Sequence, residues 1–353
     1  MKWKNELTQL LKVTYPIVQA PMLGVTTPEM VAGISNEGGL GSLPVGGLSP
    51  ETTKELIKKT KALSGKPFAV NLFAHTIASI NPREVEEMKA FLEVFCIANN
   101  IPYKKPDINA VKFYSFTDQI ETLLAENIPV VSFTFGVLND ESIKALKDKG
   151  VILIGTATCV KEAIILEQKG IDMITAQGIE AGGHRGTFLE DEPLPMIGVF
   201  SLVSQVADSV KIPVLAAGGI NNGKTIKAAF ALGASGVQIG TSFIASRESI
   251  AIPSYKSAIR HAADTDSVLT KSFSGRWARG LRNKFITELE NSGLKIPGYP
   301  LQQSLVSQIR AFSQQQNNKD FMPLWSGQSS SNAEEKPAAV IFKELIKQTE
   351  ETD

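Results

Sequence analysis

The sequence contains little cysteine and little histidine, and it has no excess of charge of either sign. Of its 353 residues, two are cysteines, Cys96 and Cys159, and three are histidines. The cysteines share no CxxC or metal-ligand spacing, so neither a disulfide framework nor a zinc site is indicated, and we expect no metal. Acidic and basic side chains balance at 36 each, which argues against a nucleic-acid surface.

Long apolar runs are also missing. No stretch has the roughly 20 consecutive apolar residues that cross a bilayer, and the segment "MKWKNELTQLLKVTYP" lacks the apolar core and cleavage site of a signal peptide. These features predict a soluble, cytoplasmic protein with no membrane association and no obligate protein partner. The expected ligand is a small molecule.

The chain instead alternates short apolar runs with longer amphipathic stretches. Such alternation predicts βα units around a parallel sheet. The strand candidates are 17–20, 39–43, 68–73, 129–133, 151–155, 172–177, 213–218 and 236–240, and the helical segments are 27–36, 50–63, 117–126, 140–149, 160–169, 198–210 and 222–232. Eight units predict a closed (β/α)8 TIM barrel. An open doubly wound sheet is disfavoured, because "EGGLGSLPVGG" does not match the GxGxxG fingerprint.

Two segments do not fit the repeat. An insertion after the third strand has a helical period over about 82–99, and the chain after the eighth strand has helical patterns near 250–263, 278–291, 300–315 and 336–349. We therefore predict a barrel from residues 1–73 and 112–250. Residues 74–111 and 251–353 are predicted to form a smaller helical domain over its mouth.

In a TIM barrel, the active site lies at the carboxyl ends of the strands. The seventh strand ends in "AAGGINNGK", with Gly218 and Gly219 before a helix, and the eighth is followed by Gly240 and Thr241. Backbone N–H groups in two such neighbouring loops favour a bound phosphate. Glycines that merely turn the chain are the alternative.

The loop after strand six, "GIEAGGHRGTF", places His184 on the same rim. Its glycines let the backbone approach a ligand closely, and histidine exchanges protons near neutral pH. The neighbouring Arg185 could pair with an anion or point outward and brace the loop. His75 and His261 are weaker candidates for chemistry, and Cys159 is better explained as a buried small side chain.

Four motifs in this order resemble the class I nitronate monooxygenases, formerly called 2-nitropropane dioxygenases. They are "YPIVQAPMLGVTTPEMVAGISNEGGLGSL", "FAVNLF", "AQGIEAGGHRGTF" and "PVLAAGGINNGKTIKAAFALGASGVQIGTSFIASRES". The resemblance is strong over residues 14–250, and "FSGRWARG" and "LWSGQ" are similar to C-terminal signatures of that family.

The resemblance implies a flavin mononucleotide (FMN) bound in the barrel, with His184 as the catalytic base or polarising group. The substrates would be an alkyl nitronate such as propionate 3-nitronate and O2, and the products an aldehyde or ketone and nitrite, with no need for NAD(P)H. The flavin ring and ribityl chain would contact Met22, Asn71, Gln177 and Gly182, and the phosphate would contact Gly218, Gly219, Gln238, Ile239, Gly240 and Thr241.

The chain departs from the family pattern after strand four, where several members have "SFHFG" and this chain has "SFTFG". Thr134 donates a hydrogen bond but is no base at neutral pH. We therefore expect a preference for pre-ionised nitronates over neutral nitroalkanes. The alternatives are a flavin-dependent enoyl-acyl-carrier-protein reductase, a flavin-binding barrel without turnover, and a flavin-free sugar-phosphate aldolase or isomerase. An aldolase or isomerase would require a Schiff-base lysine or metal-binding carboxylates, which the strand ends lack.

Overall fold

The computed structural model describes residues 3–75, 81–107, 112–189, 193–331 and 333–352. Eight parallel strands form one sheet in the order β1-β9-β8-β6-β5-β4-β3-β2. They are β1 (Ile17–Gln19), β2 (Gly41–Pro44), β3 (Phe68–Phe73), β4 (Val130–Thr134), β5 (Ile152–Ala157), β6 (Met173–Gln177), β8 (Val214–Ala217) and β9 (Gly236–Ile239). A parallel bridge between Val18 and Leu40 joins the first strand to the last in this order. The predicted TIM barrel is confirmed.

Four of the helices around the sheet begin at a residue whose side chain accepts a hydrogen bond from the first turn, namely Thr27, Ser49, Asn139 and Asn222. The helices around the sheet are α2 (Pro28–Asn36), α3 (Pro50–Leu63), α5 (Thr117–Ala125), α6 (Asp140–Asp148), α7 (Val160–Gln168), α8 (Val199–Ser209) and α9 (Gly223–Ala231). Thr27 and Ser49 cap α2 and α3 with their hydroxyl oxygens, and each is followed by proline at the first helical position. Proline is favourable there because that position needs no backbone donor. The predicted helical segments in this region are confirmed.

A short N-terminal helix closes the bottom of the barrel. Leu7 and Leu11 of α1 (Glu6–Leu11) are fully buried. They pack against the inward-facing side chains at the amino ends of the strands, which are Val18, Leu40, Ala69, Val130, Ile154, Met173 and Leu215. This apolar plug leaves the opposite end of the barrel for a ligand.

A second apolar core lies outside the barrel. It combines α4 (Pro82–Ala98) of the insertion with α11 (Lys284–Asn291), α12 (Leu301–Leu305) and α13 (Ser307–Gln315), and its buried members include Leu92, Phe285 and Ile309. Helix α10 (Pro253–His261) packs instead on the barrel core through Tyr255 and Ile259. The insertion and these three helices of the tail therefore share one apolar core.

This layer is not purely helical. The short strand β7 (Gly183–His184) pairs with β11 (Ala278–Leu281), and β11 pairs with β10 (Ser267–Thr270), all antiparallel. The prediction of a helix over 278–291 is therefore wrong at its start, because residues 278–281 pair as a strand with a segment almost a hundred residues earlier. The helix begins only at Lys284, after its N-cap Asn283.

The last helix, α14 (Ala338–Glu351), packs on α2 and α9. It occupies the position of an eighth barrel helix, between the elements that follow the first and seventh barrel strands. Ile341, Phe342 and Leu345 belong to the barrel core rather than to the second one. The predicted assignment of all of 251–353 to the layer over the mouth therefore does not hold for this helix. Among the described residues, no helix is long and apolar enough to cross a membrane.

Candidate active site

A cavity of about 190 Å³ opens at the carboxyl ends of the barrel strands, beneath the helical layer. Its lining includes ten of the eleven residues predicted from the sequence, namely Met22, Asn71, Gln177, Gly182, His184, Gly218, Gly219, Gln238, Gly240 and Thr241. Ile239 is the exception, because its side chain lies in the barrel core and its carbonyl accepts a hydrogen bond from Ala20 N at 2.8 Å. Thr134 also lines the cavity.

Amide side chains on the barrel strands make the cavity floor polar. Asn71 Nδ2 donates to Ser132 Oγ at 3.0 Å. Gln177 donates from Nε2 to the carbonyl of His184 at 3.0 Å and accepts at Oε1 from Gly186 N at 2.8 Å. This one side chain therefore fixes the backbone on both sides of Arg185, and with it the histidine loop.

His184 lies among aromatic rings. Its ring centroid is 5.3 Å from those of Phe135 and Trp325, 6.4 Å from Tyr299 and 6.5 Å from Phe73. Phe135 has a φ of 78°, a left-handed conformation that is uncommon outside glycine and tends to cluster at functional sites. The strained backbone turns this ring towards the histidine directly after β4.

Among the described residues, the imidazole has one hydrogen bond to a side chain, between Nε2 and Ser274 Oγ at 2.8 Å. Burial, which is the largest cause, and the positive charges of Arg276 and Arg310 together lower the pKa of His184 to about 3. The ring is therefore neutral at neutral pH, so it offers one N–H donor and one lone pair.

Arg185 points away from the cavity and is 1% exposed. Its guanidinium donates to the carbonyls of Gly178 at 2.6 Å and Gln177 at 2.9 Å. Burial lowers its pKa to about 10, while the carboxylates of Glu162 and Glu180 act to raise it. Of the two roles considered for this residue, bracing the loop fits the contacts, although the side chain points into the protein rather than outward.

The glycines at the rim meet two different requirements. Gly218 and Gly219 have φ values of 115° and 69°, which L residues rarely adopt. A Cβ on Gly182 would lie 2.4 Å from Gly327 N, so the loop after β6 touches the tail backbone here. Among the described residues, the N–H groups of Gly219 and Gly240 form no hydrogen bond, so both remain as donors for an anion.

Helix α9 itself is already capped. Asn222 Oδ1 accepts from Thr225 N at 3.0 Å, and the Thr225 hydroxyl bonds back to residue 222. Some of the first-turn amides are thus satisfied within the protein. The donors that remain for an anion are the backbone groups of the flanking glycines.

Several lining residues were missed because they come from the tail. They are Tyr255, Phe273, Ser274, Gln303, Arg310, Pro323, Trp325, Gly327 and Ser329. The segments "FSGRWARG" and "LWSGQ" contain Ser274 and Trp325, so they carried a signal, but nothing in them indicated which strand end they would reach. The tail supplies the serine that contacts His184 and the two arginines whose charges lower its pKa.

The weaker candidates lie outside the cavity lining. His75 is buried against Tyr299, with ring centroids 4.6 Å apart, and burial lowers its pKa. His261 is exposed on α10, and Cys159 is the N-cap of α7. Across the described ranges, no group of three or more His, Cys, Asp or Glu side chains could hold a metal ion.

Named proteins are similar to this chain over nearly its whole length. The family model "Nitronate monooxygenase" matches residues 4–349. A probable nitronate monooxygenase of Staphylococcus aureus (strain MRSA252) is 43% identical over 346 residues, which cover 98% of this chain and 97% of the relative.

Solved structures agree with this match. The nitroalkane oxidase from Streptomyces ansochromogenes aligns with a TM-score of 0.88 at 35% identity, covering 98% of both chains. FabK from Thermotoga maritima aligns with a TM-score of 0.77 at 29% identity, covering 99% of this chain and 96% of that one.

The barrel and its carboxyl-end cavity, taken with these relatives, define a flavin-dependent oxidoreductase. More narrowly, the chain belongs to the nitronate monooxygenase family.

Proposed function

We propose that the protein binds FMN and uses O2 to convert alkyl nitronates to an aldehyde or ketone and nitrite, without NAD(P)H. The observation that carries the proposal is a neutral His184, hydrogen-bonded to Ser274 and flanked by arginines, in a cavity lined by no described carboxylate. Such a cavity attracts an anion through the arginine charges, and the neutral His184 can form a hydrogen bond with that anion. The overall change balances when two nitronates react with one O2 to give two carbonyl compounds and two nitrite ions.

The residues present fit FMN. Met22, Asn71, Gln177 and Gly182 would hold the ring and ribityl chain, and the phosphate would bind to the glycine amides after β8 and β9. When bound, the flavin supplies the redox chemistry that amino-acid side chains lack. The protein contributes orientation, exclusion of water by the helical layer, and the local electrostatic field.

His184 would bind the nitronate and hold or release a proton at its ring nitrogen. A His184→Asn variant should retain the yellow colour of the flavin but lose about 10²–10⁴-fold in kcat/KM, the usual contribution of a general acid or base. The matched control is His261→Asn, which changes an exposed histidine on α10. Near-normal activity of the His184 variant would contradict a catalytic role.

The substrate preference follows from the weak basicity of the site. A histidine whose pKa is held near 3 is a poor base towards a neutral nitroalkane, and Thr134 provides no second base. We expect kcat/KM for propionate 3-nitronate to exceed that for 3-nitropropionate, whose nitro group is not ionised, by at least two orders of magnitude. Equal values would refute the preference.

A second candidate is a flavin-dependent enoyl-acyl-carrier-protein reductase, which the sequence also suggested. The two functions separate in one assay that follows O2 uptake and nitrite release with propionate 3-nitronate, with and without NADPH. Nitrite release that is independent of NADPH supports the monooxygenase. Oxidation of NADPH by an enoyl thioester, insensitive to O2, would favour the reductase, and a colourless protein would refute the bound flavin.

A further inference from the structure

One carboxylate is fully buried beside the loop that carries His184. Glu162 lies in the first turn of α7 and is 0% exposed. Its Oε2 accepts hydrogen bonds from the backbone N–H of Thr158 at 2.6 Å and from the Thr158 hydroxyl at 2.8 Å. Burying a carboxylate carries a large desolvation cost, and a short polar side chain would suffice at a helix start. The role of this carboxylate therefore depends on its second oxygen.

The second oxygen holds the end of the histidine loop. Glu162 Oε1 accepts from the Thr187 hydroxyl at 2.8 Å and from Phe188 N at 2.7 Å. Both donors come from the loop after β6, 25 and 26 residues further along the chain. A carboxylate only accepts hydrogen bonds, so it can satisfy donors from the helix start and from the loop at once. These bonds fix Thr187 and Phe188 against the barrel.

Thr187 also contacts the tail. Its carbonyl accepts from Arg276 Nη2 at 2.7 Å, and the guanidinium of Arg276 lies 4.4 Å from the centroid of the Phe135 ring. That ring is in turn 5.3 Å from the ring of His184, centroid to centroid. Thr187 therefore joins Glu162, through its hydroxyl, to Arg276, through its carbonyl. A shift of Thr187 would move the guanidinium relative to the histidine.

The position of Arg276 affects His184 in two ways. Burial, the largest cause, and the charges of Arg276 and Arg310 lower the pKa of His184. In addition, the backbone N–H of Arg276 donates to Ser274 Oγ at 3.3 Å, and that hydroxyl is 2.8 Å from His184 Nε2. The Tyr299 phenol is a further titratable neighbour, at 6.4 Å between ring centroids. Displacing Arg276 would therefore change both the electrostatic field and the hydrogen bond at the imidazole.

We propose that Glu162 is a positioning residue of the active site, which holds Thr187 and thereby keeps Arg276 beside His184. Glu162 does not line the cavity, so it acts through these contacts and not on the substrate. Glutamine at this position keeps the shape of the side chain but places an NH2 group against two donors. A hydroxyl can turn to accept from that group, whereas a backbone N–H cannot, so at least one hydrogen bond is lost. The inference rests on the proposed function only where turnover is measured.

The first test is a double-mutant cycle on the holoenzyme with Glu162→Gln, Arg276→Met and both changes together. Each single variant should lower kcat/KM for propionate 3-nitronate by about 10- to 100-fold, because a displacement of about 1 Å can cost about 10²-fold. The double variant should lose no more than about twofold beyond Arg276→Met, since Glu162 acts through Arg276. Residues that act independently would give multiplied losses, and that result would overturn the proposal.

A measurement on the histidines requires no turnover. The chain has three histidines, so NMR titration of the labelled imidazoles resolves each one. Burial is the main cause of the lowered pKa of His184 and of His75, and the charge of Arg276 acts in the same direction on both. Glu162→Gln should therefore raise the pKa of both, with the exposed His261 as the internal reference. Wild-type values for both histidines in the folded variant would overturn the proposal.

A second variant removes only the link to the loop. Thr187→Val deletes the hydroxyl that reaches Glu162 and leaves the bond from Phe188 N, so it is suited to the case in which Glu162→Gln does not fold. It should have the same effects at a smaller size, and wild-type results in both measurements would overturn the proposal. The matched control is Glu141→Gln, which makes the same change at an exposed position in the first turn of α6, and it should behave as wild type.

The two measurements separate this inference from the proposed function. If propionate 3-nitronate is not turned over but the pKa values of His184 and His75 respond to Glu162→Gln, the proposed reaction fails and the positioning role stands. If the nitronate reacts equally well in the wild type and the variant and the histidines do not respond, the positioning role fails and the reaction stands.

Discussion

Replacing Arg185 by methionine tests whether the arginine next to the histidine is a structural brace. Methionine keeps an unbranched apolar stem but removes the guanidinium that bonds the carbonyls of Gln177 and Gly178. The two carbonyls end the sixth barrel strand, and the bonds hold the histidine loop against it. The substitution should therefore lower both the stability and the activity of the enzyme.

The size of the effect follows from two opposing contributions. A hydrogen bond from a charged group contributes about 1.5–3 kcal/mol, so the two bonds together amount to about 3–6 kcal/mol. Removing a buried charge recovers part of its desolvation cost, which is several kcal/mol. We expect a net loss of about 2–4 kcal/mol in the free energy of unfolding, or roughly 3–5 °C in Tm for a chain of this length.

The assay measures Tm by calorimetry and kcat/KM with propionate 3-nitronate for Arg185→Met and for Arg83→Met. The second variant changes an exposed arginine whose ion pair with Glu87 is on the surface, and it should alter stability by less than about 0.5 kcal/mol. A Tm within 1 °C of wild type, with unchanged kcat/KM, would refute the bracing role of Arg185.

Further expectations concern the rim, the histidine and the base of the barrel. Gly182→Ala should lower the flavin absorbance per protein in the purified enzyme, since the added Cβ would lie 2.4 Å from Gly327 N; full flavin content would contradict the close approach. Because the pKa of folded His184 is lowered to about 3, its contribution to stability is complete above about pH 6.5 and declines as the pH falls towards 3, while the unfolded chain takes up the proton. His184→Gln should therefore flatten the acid dependence of the free energy of unfolding in denaturant titrations. An unaltered dependence would show that His184 is not its source. Leu11→Ala should cost about 2–5 kcal/mol in chemical unfolding, far more than Leu10→Ala at a 37% exposed position, and equal losses would show that the plug does not carry stability.

The barrel could be predicted from the sequence because its signals are local. Each strand is a short apolar run, and most helices begin at a capping residue such as Thr27 or Asn139. In a parallel barrel the carboxyl ends of the strands must gather on one rim. That rule alone predicts that Asn71, Gln177 and the glycines after β8 line the same cavity.

The contacts of the tail could not be predicted in the same way. The residues 278–281 have a helical pattern locally, yet they form a strand because their partner, at residues 183–184, lies far away in sequence. The position of α14 between α2 and α9 likewise depends on contacts between residues far apart in the sequence. The role of Arg185 follows from the same pairing, because successive residues of an extended chain point to opposite sides, so that His184 faces the cavity and its neighbour faces the protein.

The pairing of Ala278 with His184 also limits how freely parts of this protein can be exchanged with those of a relative. The backbone that carries the histidine is registered against the tail, and the hydroxyl that bonds its ring comes from the same tail segment. A chimaera that combined this barrel with a foreign tail would have to match that register and that serine together. To keep the histidine correctly placed, the barrel and the layer above it therefore have to be transferred together.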